Sequence, residues 1–384
     1  MLYNNQITVV YPRRPFYIVY QRRPERESKT DMRSKSHKKR KKARKKHRRL
    51  STLSLLVIVL ALAVVAGGAV VFATGGDVSG LLPDFHVKEK NVSPLTGQVY
   101  EKELPERPLI VSIDNVGDAV PQSNLSRADL VYEFPVEGLQ TRLQAVFYGE
   151  FPEFFGPIRS TRPYFVDLTR EYKGIFLAHG WSPDAKKYLM SDVVPYINAM
   201  NTDCSFYRVS DKTAPHNSYI KWSEVKSKID REGWWSKKQD IRSFKFLSGS
   251  AKNEGEAATS VDVKYTSSKC EFKYSEKTGK YTRTIDNGQK YVDKETGKSI
   301  EVSNILIQHV KSKVLDEKGR LKIDMCAGGK AVLITGGVAV KGTWSRDDLD
   351  SRTIFKDENG EEFKLTPGHT WVEVTDQNCT LTYK

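Results

Sequence analysis

The spacing of apolar and polar positions divides the chain into three stretches. Leu53–Thr74 runs 22 positions with no charge and two hydroxyls. A helix of that length reaches about 33 Å, enough to cross a hydrocarbon core of about 30 Å, so it reads as one membrane span. After a spacer over 75–92, strand-like runs rich in Val, Ile, Phe and Tyr appear at Pro108–Ile113, Leu130–Phe134, Thr141–Tyr148 and Gly174–Ala178. Helical signals alternate with them. Thr161-Arg162-Pro163 opens one helix, with Tyr164, Phe165, Leu168 and Tyr172 at helical spacing. Ser182-Pro183 opens a second that runs to Met190, and Trp222–Gly233 forms a third. Residues 247–258, LSGSAKNEGEAA, are small and polar and read as a linker. From 259 onward, VDVKYT, EFKYS, YTRTI, NILIQHV, AVLITGG and TWVEVT are separated by turns such as DNG and EKGR. Regular short strands of this kind predict a small barrel or sandwich. The expected fold class is therefore α+β: an N-terminal α/β-type domain over 93–246 and a mainly β C-terminal domain over 259–384, behind a single transmembrane helix.

Charge sharpens the topology. Of the formal net charge of +15, all lies in residues 1–50, which hold 18 Lys/Arg against 3 Asp/Glu; the rest of the chain is balanced. A basic nucleic-acid-binding fold is excluded, because its charge would lie on the folded part. Lys35–Arg49 carries 11 Lys/Arg in 15 residues, immediately before the apolar run. The positive-inside rule then makes 1–52 a cytoplasmic, largely disordered tail and places 75–384 on the extracellular side of the cell membrane. A cleaved signal peptide ending near Val71-Phe72-Ala73 is the competing reading. Against it, both the basic region and the apolar run are longer than signal peptides use. The tail suits anionic lipid headgroups. It lacks the interleaved aromatics that a nucleic-acid arm would stack on bases, so the expected partner is the membrane and no specific nucleic acid.

Chemistry is sparser. Cys204, Cys270, Cys326 and Cys379 match no zinc spacing, and the external histidines are scattered, so neither a metal nor a cofactor is expected. Disulfides are permitted outside the membrane; three pairings are open and sequence does not choose among them, with Cys270–Cys379 slightly favoured because both lie in strand-like runs. Phosphate-binding glycine loops, nucleophile elbows and dinucleotide fingerprints are absent. The loop GPIRSTRP, Gly156–Pro163, sets Arg159 and Arg162 at a helix start, where backbone N–H groups and guanidinium forks favour an anion. Arg142 fits the same picture. The alternative is that Arg159 and Arg162 pair internally with Glu133, Glu137 or Asp167. Asp114-Asn115, Glu133, Glu137 and His179 stand at or near predicted strand ends, where α/β sheets form crevices. Glu133 and Glu137 are candidates for acid–base work on a glycan and His179 for a general base. His216 and Asn217, after Pro215, are candidate ligand contacts or a satisfied turn. Trp181, Trp344 and Trp371 either stack on sugars or fill the core.

Several blocks resemble a known family in order and spacing: SPLTG (93–97), PQSNLSRADLVYE (121–133), GPIRSTRPYFVDL (156–168), APHNSY (214–219), KGTW (341–344) and PGHTWVEV (367–374). Together they resemble the YerB-like two-domain proteins of Gram-positive bacteria, lipoproteins of unknown function. The resemblance implies an extracytoplasmic body and supplies no catalytic residues. This chain departs from it by an apolar span in place of a lipidated Cys. The function expected is a membrane-anchored binding or scaffolding module for an anionic cell-wall polymer, peptidoglycan or an envelope protein partner, with no reaction of its own. The alternative is a cell-wall hydrolase or transferase using the acidic residues of the N-terminal domain.

Overall fold

A computed structural model describes residues 91–285 and 288–384. The basic tail, the apolar run and most of the spacer lie outside the described residues. Among those described, no helix is long and apolar enough to cross a membrane.

The N-terminal strands are β1 (Leu109–Asp114), β2 (Leu130–Pro135), β3 (Thr141–Phe147), β4 (Ile175–Ala178), β5 (Tyr196–Asn198) and β6 (Ser218–Lys221). Helix α1 (Pro163–Glu171) lies between β3 and β4, α2 (Pro183–Leu189) follows β4, and α3 (Trp222–Glu232) follows β6. Proline occupies the first turn of α1 and α2, where a missing N–H costs nothing, and the Ser182 hydroxyl caps α2 by accepting from the Ala185 N–H. Gly233, at φ 66°, ends α3 in the left-handed conformation. The later strands are β7 (Ser260–Lys264), β8 (Lys269–Ser275), β9 (Lys280–Ile285), β10 (Asn304–His309), β11 (Gly329–Thr335), β12 (Val338–Ser345) and β13 (Thr370–Thr375). The architecture is mainly β with few helices, so the helical layers of an α/β domain are thin.

Strands from both parts join one 11-stranded sheet, ordered β12-β11-β10-β13-β2-β3-β1-β4-β5 through its centre. β10, β13, β2, β1, β4 and β5 all run the same way, with β3 reversed between β2 and β1. The seam is the parallel pair β13–β2, which sets Glu373 beside Glu133. β7, β8 and β9 belong to a second, 6-stranded sheet. Alternation along β1 explains the layering. Val111 and Ile113 share a core with Leu143, Ile305 and Trp371 and with Val261 and Phe272 of the second sheet. Ile110 faces the other way, into a core with Phe134, Phe176 and Val372 and with Tyr164, Phe165 and Leu168 of α1. The segment 247–258 is partly tied down: Glu256–Ala257 pair with β12, and the Leu247 N–H donates to the Leu365 carbonyl.

The expected Cys270–Cys379 disulfide is not formed, and all four cysteines are free thiols. Cys270 points into the core between the sheets, where Glu133 and Arg283 are its polar neighbours. The sulfur of Cys379 turns to Asp376 instead.

Candidate functional site

The parallel strands release their carboxyl ends along one edge, and polar side chains gather there. Asp114 ends β1 and is wholly buried, with Arg142 opposite it on β3. The loop before α1 is sewn over this edge by backbone bonds: the Arg159 N–H donates to the Ser112 carbonyl and the Ile158 N–H to that of Ser218. At the start of this loop, a Cβ on Gly156 would meet the Tyr219 ring at 2.4 Å, so only glycine allows the approach. The loop carries Arg159 onto Asp114, with Nε 3.0 Å from Oδ2. His216, two residues before β6, brings its Nδ1 to 2.8 Å from the same oxygen. Arg142 donates from Nη1 to the Ser160 carbonyl at 3.0 Å. Asn217 donates to the carbonyls of Val209 and Lys212, and its own carbonyl accepts from Arg208 at 2.7 Å. His179, just past β4, sets Nδ1 2.5 Å from the Ser218 hydroxyl.

Positive charge is in excess here. Among the described residues, Asp114 is the single carboxylate that ion-pairs with any of Arg142, Arg159 and Arg208. Burial lowers the Arg142 guanidinium to about 10; Asp114 opposes it, and Arg159 adds a smaller push downward. His179 is lowered from its ordinary value by burial first, then by Arg208 and Arg159. Its imidazole is therefore held neutral near pH 7.

A second cluster lies between the two sheets. Glu133 accepts from Asn115 Nδ2 (3.0 Å), the Thr141 hydroxyl (2.7 Å) and Arg283 Nη2 (2.8 Å). Arg283 is buried between the rings of Tyr291 and Trp371, at 3.9 and 4.6 Å from their centroids. Glu373 is held by the Tyr265 hydroxyl at 2.7 Å, and burial, then Glu133, push its carboxyl well above the ordinary range. Glu133, Cys270 and Glu373 offer ligand atoms within 4.8 Å of one another, a donor set that suits a divalent metal. The Arg283 guanidinium fills the cationic position instead, since Nη2 lies 3.0 Å from Cys270 Sγ as well as on Glu133.

Of the residues singled out by sequence, Arg142, Arg159 and His216 therefore converge on Asp114, with Asn217 and His179 beside them. Arg162 does not join them. Its Nε donates to Glu137 at 2.9 Å and its Nη1 to the Thr161 carbonyl, so the two loop arginines serve different carboxylates. Glu133 and Glu137 do not share a crevice partner: one holds Arg283, the other Arg162. Trp344 and Trp371 are buried in the cores and present no face to a sugar. Sequence reasoning missed Arg208, Arg283 and Glu373. The last two left a signal, because YTRTI and TWVEVT place a charge at an inward position of an otherwise apolar alternation.

Known proteins resemble this chain over both parts. "Protein of unknown function (DUF3048) N-terminal domain" matches residues 95–235, and the corresponding C-terminal domain matches residues 261–372. The Bacillus subtilis (strain 168) protein named "Putative lipoprotein YerB" is 36% identical over 299 residues, covering 76% of this chain and 88% of the relative. The crystal structure of YerB protein from Bacillus subtilis matches with a TM-score of 0.68 at 33% identity, covering 76% of this chain and 99% of that one. Glu133 and Arg283 thus come from different family domains and meet at their seam. The chain belongs to the YerB-like DUF3048 family, two domains of unknown function.

Proposed function

We propose that this protein is a membrane-tethered, extracytoplasmic binding module that holds an anionic cell-envelope component at the Asp114 edge. One observation carries the reading: Arg142, Arg159 and His216 gather around a single carboxylate, Asp114, with Arg208 and His179 beside Arg159. Guanidinium groups in such excess are answered by phosphate or carboxylate from a ligand. The relative's name, a lipoprotein, supports an outer membrane-surface location, and the apolar run Leu53–Thr74 supplies this chain's tether. Binding is favoured over hydrolysis, because Glu133 and Glu137 are each committed to an arginine.

The test uses the full chain mixed with purified anionic wall polymer and with peptidoglycan. Co-sedimentation with the anionic polymer that Arg159→Gln weakens about tenfold per folded molecule is the expected result. Release of soluble fragments from peptidoglycan would replace the binding reading with the enzymatic one.

A further inference from the structure

The opposite edge of the main sheet, where β3 ends and β2 begins, carries a cleft that the charged cluster does not use. It has a volume of about 1320 Å³ and lies between the segment Gln98–Glu106 and the aromatic groups around α3. Phe151 and Trp222 stack with centroids 4.2 Å apart and planes 10° from parallel. Trp235 stands 5.8 Å from Trp222 and 5.9 Å from Phe151, extending the aromatic wall. All three are only partly buried. The Gly233 turn at the end of α3 brings Trp235 back beside Trp222, which opens the same helix. Two polar atoms on the cleft's residues have no hydrogen-bond partner: the donor Trp235 Nε1 and the acceptor Glu106 Oε2.

The lining selects the class of ligand. Glu101, Glu103, Glu106 and Glu150 face Lys102, Arg127 and Lys226, so neither a polyanion nor a polycation is favoured. The many charged side chains of the lining likewise argue against an acyl chain. A pyranose has an apolar C–H face that lies flat on an indole, and hydroxyls that both donate and accept. Such a group sets its C–H face on the aromatic wall and its hydroxyls among the charged side chains of the lining. The volume exceeds the few hundred to about 1,000 Å³ of an ordinary small-molecule site, which suits several linked units. We propose that this cleft binds consecutive pyranose units of an uncharged glycan chain. The proposal does not depend on the anion reading, since the two sites lie on opposite edges of the sheet.

Cellotetraose and chitotetraose, both uncharged and equatorially linked, are the probes. They are titrated into the full chain, held in a detergent without a sugar headgroup, with calorimetry and tryptophan fluorescence as readouts. Saturable binding of at least one is expected, weakened about tenfold by Trp235→Ala and less by Trp235→Phe, which keeps a ring but loses the N–H. Glu106→Gln should weaken it to a similar intermediate extent, and Arg159→Gln should leave it unchanged. If Trp235→Ala fails to fold, the Trp235→Phe and Glu106→Gln variants decide. No binding of either oligosaccharide, or affinities unmoved by those substitutions, overturns the proposal, as would a cleft that takes up only protein.

Discussion

Two of the arginine–carboxylate pairs among the described residues differ in what surrounds them. Glu133–Arg283 lies between the sheets with each side chain 1% exposed, and its carboxylate is also bonded by Thr141 and Asn115. Asp114–Arg159 joins an equally buried carboxylate to a guanidinium that is 22% exposed. The first pair is enclosed by two aromatic rings and ties the two domains together. The second keeps part of its guanidinium in solvent and stands among further cations. The same pair of chemical groups thus forms a rivet at the seam and, in the function proposed above, one half of a ligand site at the edge. Enclosure and local charge balance decide which.

The largest effect should come from the seam. Glu133→Gln leaves a buried guanidinium without its counter-charge and should cost about 3–5 kcal/mol, read by denaturant unfolding. Anion binding per folded molecule should stay the same. If the domain tolerates the change, the rivet reading fails.

Glu373→Gln, one strand away, should act in the opposite direction. Burial raises the folded carboxyl above its unfolded value, so the stability it lends is complete below the ordinary glutamate pKa. That stability drains away as pH rises toward the folded value. A glutamine keeps an acceptor for Tyr265 and cannot ionise. Relative to the unsubstituted protein, the variant should therefore gain stability progressively between about pH 5 and pH 8 in paired melting curves. A flat difference across that range would mean that Glu373 is already charged in the fold.

At the edge, the expected changes are in affinity. Asp114→Asn removes the one carboxylate competing for Arg159 and should tighten anionic-polymer binding about threefold to tenfold in calorimetry. Weaker binding would show that Asp114 positions the cations more than it neutralises them. Smaller still is the pH effect. His179 should titrate below free imidazole by NMR, and a bound anion should raise it. Affinity should therefore climb a few-fold as pH falls from about 7.5 to 5.5. A His179 value unmoved by saturating polymer would place the anion elsewhere.

Much of this was legible in residue order. The strands at Leu109–Asp114, Leu130–Pro135 and Thr141–Phe147 and the three helices follow alternation, β-branched residues, Pro at helix starts and Gly233 at a helix end, all of which act within a few residues. Arg142, Arg159 and His216 were found because they stand at element ends, where side chains are free to converge. Glu137 and Arg162 were legible as charged loop residues, and their contact as one of several pairings open to the loop arginines. Their pairing depends on how two loops lie over the sheet. The tryptophans show the same limit: Trp344 and Trp371 look like Trp222 and Trp235 in sequence, yet two fill cores and two line a cleft.

Sequence alone determined that a long apolar run follows a basic tail and that a charge-balanced body of short strands and few helices comes after it. Those properties rest on composition and on periodicities of two and 3.6 residues, which are local. Only the tertiary structure decided that both domains share one sheet, that Arg283 reaches Glu133 across 150 positions, and that Cys270 stays a free thiol. Contacts between distant positions depend on strand order and register, and a one-residue change of register turns every side chain of a strand to the other face.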